Sequence, residues 1–508
     1  MGRDDRHHPV LAARRDLRGD GAGHLLLRVA VHVGFRVSGP FGGDPVLVAG
    51  AGVSGLAAAT ALVDAGARVL LSDDRADALS ALPDGVEPWR GGGIPEGVRT
   101  VVTSPGRRPD HPLVAEAAGL GVEVIGEPEL AWRLGALRDT PPSWLVVTGT
   151  NGKTTTTEML AAVLARAGVD AVACGNIGHP VVTAVAAGHA VLAVELSSFQ
   201  LHWSPSVRPA AGVVLNVAED HLDWHGGMDA YAAAKARALL GDVAVGGIDD
   251  PVAARLLGES PAPRRVGVTL GPPGPDQLGV ADGVLTDRAF GGGALLDADA
   301  VVPPGPPGVT DALAAAALAR AHGVDPEHIG AALAAFTPGP HRSAPAGEHA
   351  GVTYLDDSKA TNPHAAGAAL AAVAARRPGA RAVWVVGGLL KGVDPAELGL
   401  LAAAHADRLA GIVVIGTDRT PIVEALTRHA PGLPVEEVAP GHDGPMAPSD
   451  LQDPMPAAVR RASGLARPGD VVLLAPAAAS MDQFRDYAHR GDAFAAAVAG
   501  LAAAGVSR

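Results

Sequence analysis

Cysteine is almost absent from this chain: one residue, Cys174, in 508. That excludes a disulfide framework and any zinc site built on cysteine. Aromatic residues make up only 3 %, so the core must be built from Val, Leu and Ala. Lysine is scarce beside arginine, with four lysines (Lys153, Lys235, Lys359 and Lys391) against 36 arginines. No uncharged apolar run reaches the ~18 residues of a membrane span. The longest, 493–506, is alanine-rich. An apolar patch at 25–35 is interrupted by Arg28 and His32 and lacks the order of a signal peptide. Net charge is −14, which argues against a general nucleic-acid or membrane-surface binder. These absences predict a cytosolic protein without membrane insertion.

What is present is a large apolar fraction, 48 %, with 19 % charged residues. Wholesale disorder is excluded, and the length suits about three domains. Residues 1–43 stand apart, with a net charge of +3 against −17 for the rest. They are expected to be a poorly ordered extension, or the product of a misassigned start codon. From Pro45 onward short apolar runs alternate with helical patterns. Strands are expected at 46–49, 69–72, 101–103, 122–125, 144–148, 191–194 and 213–217, then at 352–355, 382–386, 411–415 and 471–474. Helices are expected at 56–65, 159–167, 312–321 and 326–336. Such alternation signals parallel sheets covered by helices. The stretch 271–308, rich in Gly and Pro, reads as loop, and 337–340 as a hinge. The expectation is three α/β domains in series: Rossmann-like at 44–140, a central sheet of P-loop ATPase type at 141–340, and a second Rossmann-like domain at 341–508.

The sharpest chemical signal is the run Thr148, Gly149, Thr150, Asn151, Gly152, Lys153, Thr154, Thr155. It follows an apolar strand and opens a helix, as a phosphate-binding loop requires. Glycines let backbone N–H groups turn towards an anion. Lys153 would reach the β- and γ-phosphates, and the Thr154 hydroxyl would touch Mg²⁺. The first glycine of the usual loop would fall at Val147, so this is a shortened variant. Where arginine serves for most positive charges, a surviving lysine marks a place that needs a compact amine. All four lysines are therefore expected near the reaction centre. A second loop, Gly50-Ala-Gly-Val-Ser-Gly55 with Asp73 beyond it, is by itself a dinucleotide fingerprint, with NAD as the default ligand.

Taken in order, further segments join the phosphate loop: Gly175-Asn-Ile-Gly178, Glu195-Leu-Ser-Ser-Phe-Gln-Leu201 and Asn216-Val-Ala-Glu-Asp-His-Leu-Asp223. Pro340-His-Arg342, Asp357-Ser-Lys-Ala-Thr-Asn362 and Ser480-Met-Asp-Gln-Phe484 follow. Together they resemble the ATP-dependent Mur ligases from Val46 to the C-terminus, most closely the D-glutamate-adding branch. The resemblance implies ATP-driven amide formation between UDP-N-acetylmuramoyl-L-alanine and D-glutamate through an acyl phosphate, in peptidoglycan precursor synthesis, by a monomer. It implies that Gly149, Thr150, Asn151, Gly152, Lys153, Thr154, Thr155, Arg342 and Asp357 bind ATP. Two Mg²⁺ sites would draw on Thr154, Glu195, His221 and Lys235, the last carrying a CO₂-derived carbamate. Asn176 would lie near the phosphates and the substrate carboxylate. Lys153, Asn176, His221 and Lys235 are then the catalytic set.

The same resemblance gives the glycine loop of the first domain to the diphosphate of a UDP-sugar rather than NAD, through Gly52, Val53, Ser54 and Gly55. Asp73 and Asp74 fall where the family contacts uracil, and Ser104 and Gly106 form a further loop. Lys359, Thr361, Lys391, Ser480 and Tyr487 would hold D-glutamate. Two departures stand out. Pro307, Gly308 and Asp311 replace a His-Asn pair and a second Asn, leaving Asp311 as the residue that accepts from the adenine amino group. The segment 475–480 lacks the cysteine common there. An NAD-dependent dehydrogenase would leave the phosphate loop and Lys235 unexplained, and a non-catalytic nucleotide-binding regulator would not need both Glu195 and His221. A zinc hydrolase built on Asp220, His221, Asp223 and His225 would need a second His-rich motif, and the chain has none.

Overall fold

The computed structural model describes residues 43–377, 379–438 and 453–505. The N-terminal extension, except Gly43, lies outside them. Three sheets follow one another along the chain. The first comprises β1 (Val46–Ala49), β2 (Val69–Ser72), β3 (Val86–Pro88), β4 (Thr100–Thr103) and β5 (Glu123–Gly126). All are parallel, in the order 3-2-1-4-5. The inner strands β1 and β2 are short Val/Leu runs because both of their faces are covered. Order reverses at β1, so the crevice beyond its carboxyl end is where such a sheet binds ligand. There the chain turns through Gly52 into the helix Val53–Asp64.

The central sheet holds β6 (Ser143–Thr148), β7 (Ala171–Gly175), β8 (Val191–Glu195), β9 (Ala211–Val214), β10 (Val243–Gly247), β11 (Arg264–Val268), β12 (Gln277–Ala281), β13 (Val284–Asp287) and β14 (Gly293–Asp297). Its order is 14-13-12-11-10-9-6-8-7. β6 lies between β8 and β9 and delivers the phosphate loop at its carboxyl end. The helices Lys153–Arg166 and Pro306–Ala321 pack together beneath it. Every residue from Ala312 to Ala319 is buried there, six of them alanines. Small side chains bring the two helices close, which is how an aromatic-poor chain fills a core.

The expected loop at 271–308 is corrected by the structure. β12, β13 and β14 form an antiparallel meander on the sheet edge. The turn between β12 and β13 contains Asp282 and Gly283, both at positive φ (51° and 77°). Asp-Gly is the residue pair such a two-residue hairpin turn favours, so a signal was present among the glycines and prolines. Helix starts also lie earlier than the apolar pattern indicates, at Val53, Lys153 and Pro306. Their first turns, Val-Ser-Gly, Lys-Thr-Thr and Pro-Pro-Gly, lack the apolar periodicity that marks the rest of each helix.

The third sheet comprises β15 (Ala344–His349), β16 (Val352–Asp356), β17 (Ala382–Gly387), β18 (Leu409–Ile415), β19 (Val435–Glu437) and β20 (Val471–Leu474). It runs 15-16-20-17-18-19, with β15 antiparallel and the rest parallel.

The two seams between domains differ in kind. One apolar cluster runs from the first sheet through the helix Glu127–Ala136 into Trp144, Val181, Val185 and Leu192 of the central domain. No such cluster joins the central and third domains among the described residues. Their side-chain hydrogen bonds are polar: Arg342 with Glu158, and Asn362 and His364 with Asn151. Burial of apolar area fixes the first pair of domains, while exchangeable polar contacts hold the second.

Candidate active site

The phosphate loop is built by two grips. Asn216, just past β9, accepts from the Asn151 backbone N–H (2.9 Å) and donates to the Asn151 carbonyl (3.2 Å). The Thr150 hydroxyl meets the Tyr231 hydroxyl at 3.0 Å and accepts the Ala218 N–H at 3.0 Å. Gly152, at φ +83°, then turns the chain into the helix Lys153–Arg166, a conformation a side chain would strain. The helix N-terminus thus faces a cavity of about 310 Å³. Its walls include the loop, Asn176, Glu195, Asp220, His221, Asp311, Arg342, Asp357, Lys359 and Thr361. Residues from two domains close one chamber.

Of the four lysines, Lys153 and Lys359 line the chamber, and Lys235 and Lys391 do not. Lys153 Nζ donates to the carbonyls of Gly149 (3.0 Å) and Thr150 (2.8 Å). Lys235, fully buried, donates to the same Gly149 oxygen at 2.7 Å and lies over the Tyr231 ring. Burial, with the charge of Lys153 adding to it, holds the Lys235 amine well below its ordinary basicity. Lys153 is lowered too, first by burial, and it feels Lys359. Lys391, at φ 51°, is near enough to His221 to lower the basicity of that imidazole, although burial is the larger cause.

Glu195 ends β8 with one oxygen accepting from Asn176 Nδ2 at 2.8 Å and the other buried without a partner. An unpartnered buried carboxylate oxygen facing a chamber with Thr154 is a hard donor set that suits Mg²⁺. His221 sits at φ 55°, its ring packed on Phe199 and its Nε2 at 3.5 Å from Asp220. Burial keeps it towards the neutral form, the form a metal ligand requires.

Asp311 is buried and accepts from the Thr156 hydroxyl at 3.1 Å. Burial pushes its pKa well above the ordinary carboxylate range, so the carboxyl holds its proton more tightly. Asp357, half-buried, is pushed up to about 7, chiefly by desolvation. Arg342 bonds Glu158 at 2.7 Å. In the third domain Lys359 lies over the Tyr487 ring at 4.1 Å, and Ser480 is buried on the neighbouring loop. Arg490, fully buried, joins those two loops by donating to the Ser358 carbonyl, the Ser358 hydroxyl and the Ala478 carbonyl.

The first-domain residues come together only in part: Gly52, Val53, Ser54 and Gly55 do not line the crevice that the others share. Gly50, Asp73, Asp74, Ser104 and Gly106 line one crevice. Asp73 accepts from the backbone N–H groups of Ala51 (2.7 Å) and Arg75 (2.9 Å), so its carboxylate shapes the glycine loop itself. Val53 is 76 % exposed on the first helical turn. Beside it a second hollow of about 390 Å³ is lined by Trp89, Arg107 and His111. Trp224 links this site to the central one, donating from its indole to the Gly106 carbonyl at 3.1 Å. Sequence reasoning missed Glu158, Trp224 and Arg490 as contributors. A lone polar or aromatic side chain on a helix or in a loop carries no local signal of what it will meet.

Two family descriptions match the chain: the Mur ligase middle domain over residues 147–272, and the Mur ligase glutamate ligase domain over residues 341–478. The UDP-N-acetylmuramoylalanine–D-glutamate ligase of Mycolicibacterium vanbaalenii is 53 % identical over 481 residues, covering 90 % of this chain and 98 % of that protein. The enzyme of the same name from Rhodococcus jostii is 51 % identical over 499 residues, covering 92 % and 97 %. Among solved structures, the UDP-N-acetylmuramate–alanine ligase MurC of Thermotoga maritima shares the fold with a TM-score of 0.53 at 19 % identity, covering 90 % of this chain and 99 % of that one. A pseudomurein peptide ligase type C from Methanothermus fervidus gives 0.54 at 18 %, covering 85 % and 96 %.

Proposed function

The chain belongs to the Mur ligase family, and from that premise we propose that it joins D-glutamate to UDP-N-acetylmuramoyl-L-alanine, with conversion of ATP to ADP and phosphate, in peptidoglycan precursor synthesis. The observation that carries the reading is one chamber walled by a phosphate loop from the central domain and by Lys359, Thr361 and Arg342 from the third. A carboxylate is a poor electrophile because oxide would have to leave. Its oxygen therefore attacks the γ-phosphorus of ATP, ADP departs, and the acyl phosphate so formed carries a good leaving group. The D-glutamate amine attacks the carbonyl carbon, and the tetrahedral intermediate expels phosphate as the amine loses its proton. Two anions must meet for the first step, so the chamber needs cationic and dipolar walls.

The roles divide by position. Gly149, Thr150, Asn151, Gly152, Lys153, Thr154 and Thr155 cradle the triphosphate, with Arg342 reaching it from the third domain and Asp357 at the ribose. Lys153, at the start of the helix beside the loop, reaches the β- and γ-phosphates. Glu195, His221, Thr154 and a carbamate on Lys235 would hold two Mg²⁺, which neutralise charge on the transferring phosphoryl group. Asn176 orients Glu195 and faces the substrate carboxylate. Gly52, Val53, Ser54 and Gly55 hold the UDP diphosphate at a helix N-terminus. Asp74, Ser104 and Gly106 lie around the uracil end, with Asp73 bracing the loop. Lys359, Thr361, Lys391, Ser480 and Tyr487 receive D-glutamate. The working domains are 44–140, 141–340 and 341–508, in a cytosolic monomer.

The test is ADP release across a panel of amino acids, with and without the nucleotide sugar. Turnover is expected only with D-glutamate and UDP-N-acetylmuramoyl-L-alanine together, and Lys153→Ala should abolish it. Turnover with another amino acid in place of D-glutamate would overturn the substrate assignment. Undiminished product from Lys153→Ala would overturn the mechanism.

A further inference from the structure

Among the described residues, one ion pair crosses from the central domain to the third. Arg342 Nη1 donates to Glu158 Oε2 at 2.7 Å. The chain is bent to make this pair. His341 and Ser343, on either side of Arg342, both hold left-handed backbone, at φ 63° and 48°. Such conformations are costly for residues with side chains and persist only where surrounding structure imposes them. Gly339, in the hinge, leaves room: a Cβ there would stand 2.9 Å from Arg342 Nη1 and 3.2 Å from Glu158 Oε1. Arg342 lines the chamber, its side chain is only 13 % exposed, and its Nε is buried with no partner. Two further carboxyl groups, Asp311 and Asp357, lie near enough to feel its charge. Neither forms a hydrogen bond with it; Glu158 does.

We propose that Glu158 is the positioning residue for Arg342, pinning one end of the guanidinium to the phosphate-loop helix so that its remaining N–H groups serve the nucleotide. This rests on the reading of Arg342 as an ATP contact and adds the residue that sets it. Glu158 lies on the helix that Lys153 opens. Docking of the third domain and placement of the arginine are then one event, in register with the phosphate loop. A planar fork held by one edge is pre-organised, and less freedom is lost when its other edge takes up an anion. The opposite arrangement, in which Glu158 competes with ATP for the arginine, predicts the opposite sign.

The experiment is ATP affinity by calorimetry on the full chain, for Glu158→Ala, Glu158→Gln, Arg342→Ala and the Glu158→Ala/Arg342→Ala double variant. Steady-state KM values and melting temperatures accompany it. Glu158→Ala should weaken ATP binding about tenfold, the scale of a lost charge-assisted hydrogen bond. Glu158→Gln, which keeps an acceptor, should restore much of it. KM for D-glutamate should not move, and the double variant should bind ATP no worse than Arg342→Ala alone. If Arg342→Ala weakens binding while Glu158→Ala leaves it unchanged or tightens it, the positioning role is wrong and the ATP contact stands. If Arg342→Ala has no effect on ATP, the ATP-contact reading fails and the positioning role with it. A shift in melting temperature without a shift in ATP affinity would reduce Glu158 to a structural strut.

Discussion

Lys153 and Lys235 both donate to the carbonyl of Gly149. Two ammonium groups on one oxygen repel, and Lys235 is fully buried while Lys153 is half-buried. One way to relieve the conflict is chemical. A neutral amine attacks the carbon of CO₂, loses a proton and becomes a carbamate, which turns a repelled cation into an anion beside Lys153. Burial of Lys235 favours the neutral amine that this reaction needs. Lys235→Ala is therefore expected to lose roughly 10–100-fold in turnover, the scale for a group that orients a metal. Millimolar formate or acetate should recover part of it by filling the space with a free carboxylate. Full activity of Lys235→Ala without added acid would end the idea. Carbon-13 bicarbonate labelling of the unmodified protein is the direct readout.

At the scale of elements, the helix Glu127–Ala136 welds the first domain to the second. Glu127 is buried, accepts from the Val182 N–H at 2.6 Å and leaves its other oxygen unpartnered. Burial pushes this carboxyl up to about 7, and Cys174 lies near enough to feel its charge. The folded state then holds the proton more tightly than the unfolded chain does. Stability from this group is complete below the ordinary glutamate range and is lost as pH rises towards 7. Between pH 5 and 8 the loss is roughly 2–3 kcal/mol. Glu127→Gln should flatten that part of the stability profile, which urea unfolding at pH 5 and pH 8 would reveal. An unchanged pH dependence would show that the seam tolerates the charge. The β12–β14 meander belongs to the same scale. Its strands are short and polar enough to pass for loop, because an edge has only one face to bury.

At the scale of the molecule, the asymmetry of the two seams decides what can move. A shared apolar core ties the first and central domains, while polar side chains meet the third. Ligand-driven rearrangement should therefore be confined to the third domain, by closure of the kind that completes many active sites. On adding ATP and the nucleotide sugar, hydrogen exchange should slow across the hinge 337–343 and the loop 357–362. The seam helices Glu127–Ala136 and Val181–Ala187 should exchange as before. Equal protection of both seams, or a scattering profile unchanged by ligands, would remove the case for a swinging third domain.

Much was legible in the chain itself. The phosphate loop, the glycine loop and the alternating apolar runs are local patterns, each set by neighbours in sequence through backbone geometry and periodic burial. Other features were decided only by the tertiary structure. Glu158 meets Arg342 across 184 positions, Trp224 reaches Gly106 across 118, and Arg490 reaches Ser358 across 132. Asp73, expected at the uracil, accepts from the Ala51 N–H of the glycine loop across 22 positions. Hydrogen bonds and ion pairs are short-ranged in space but indifferent to separation along the chain, so their partners exist only once the domains have folded and met.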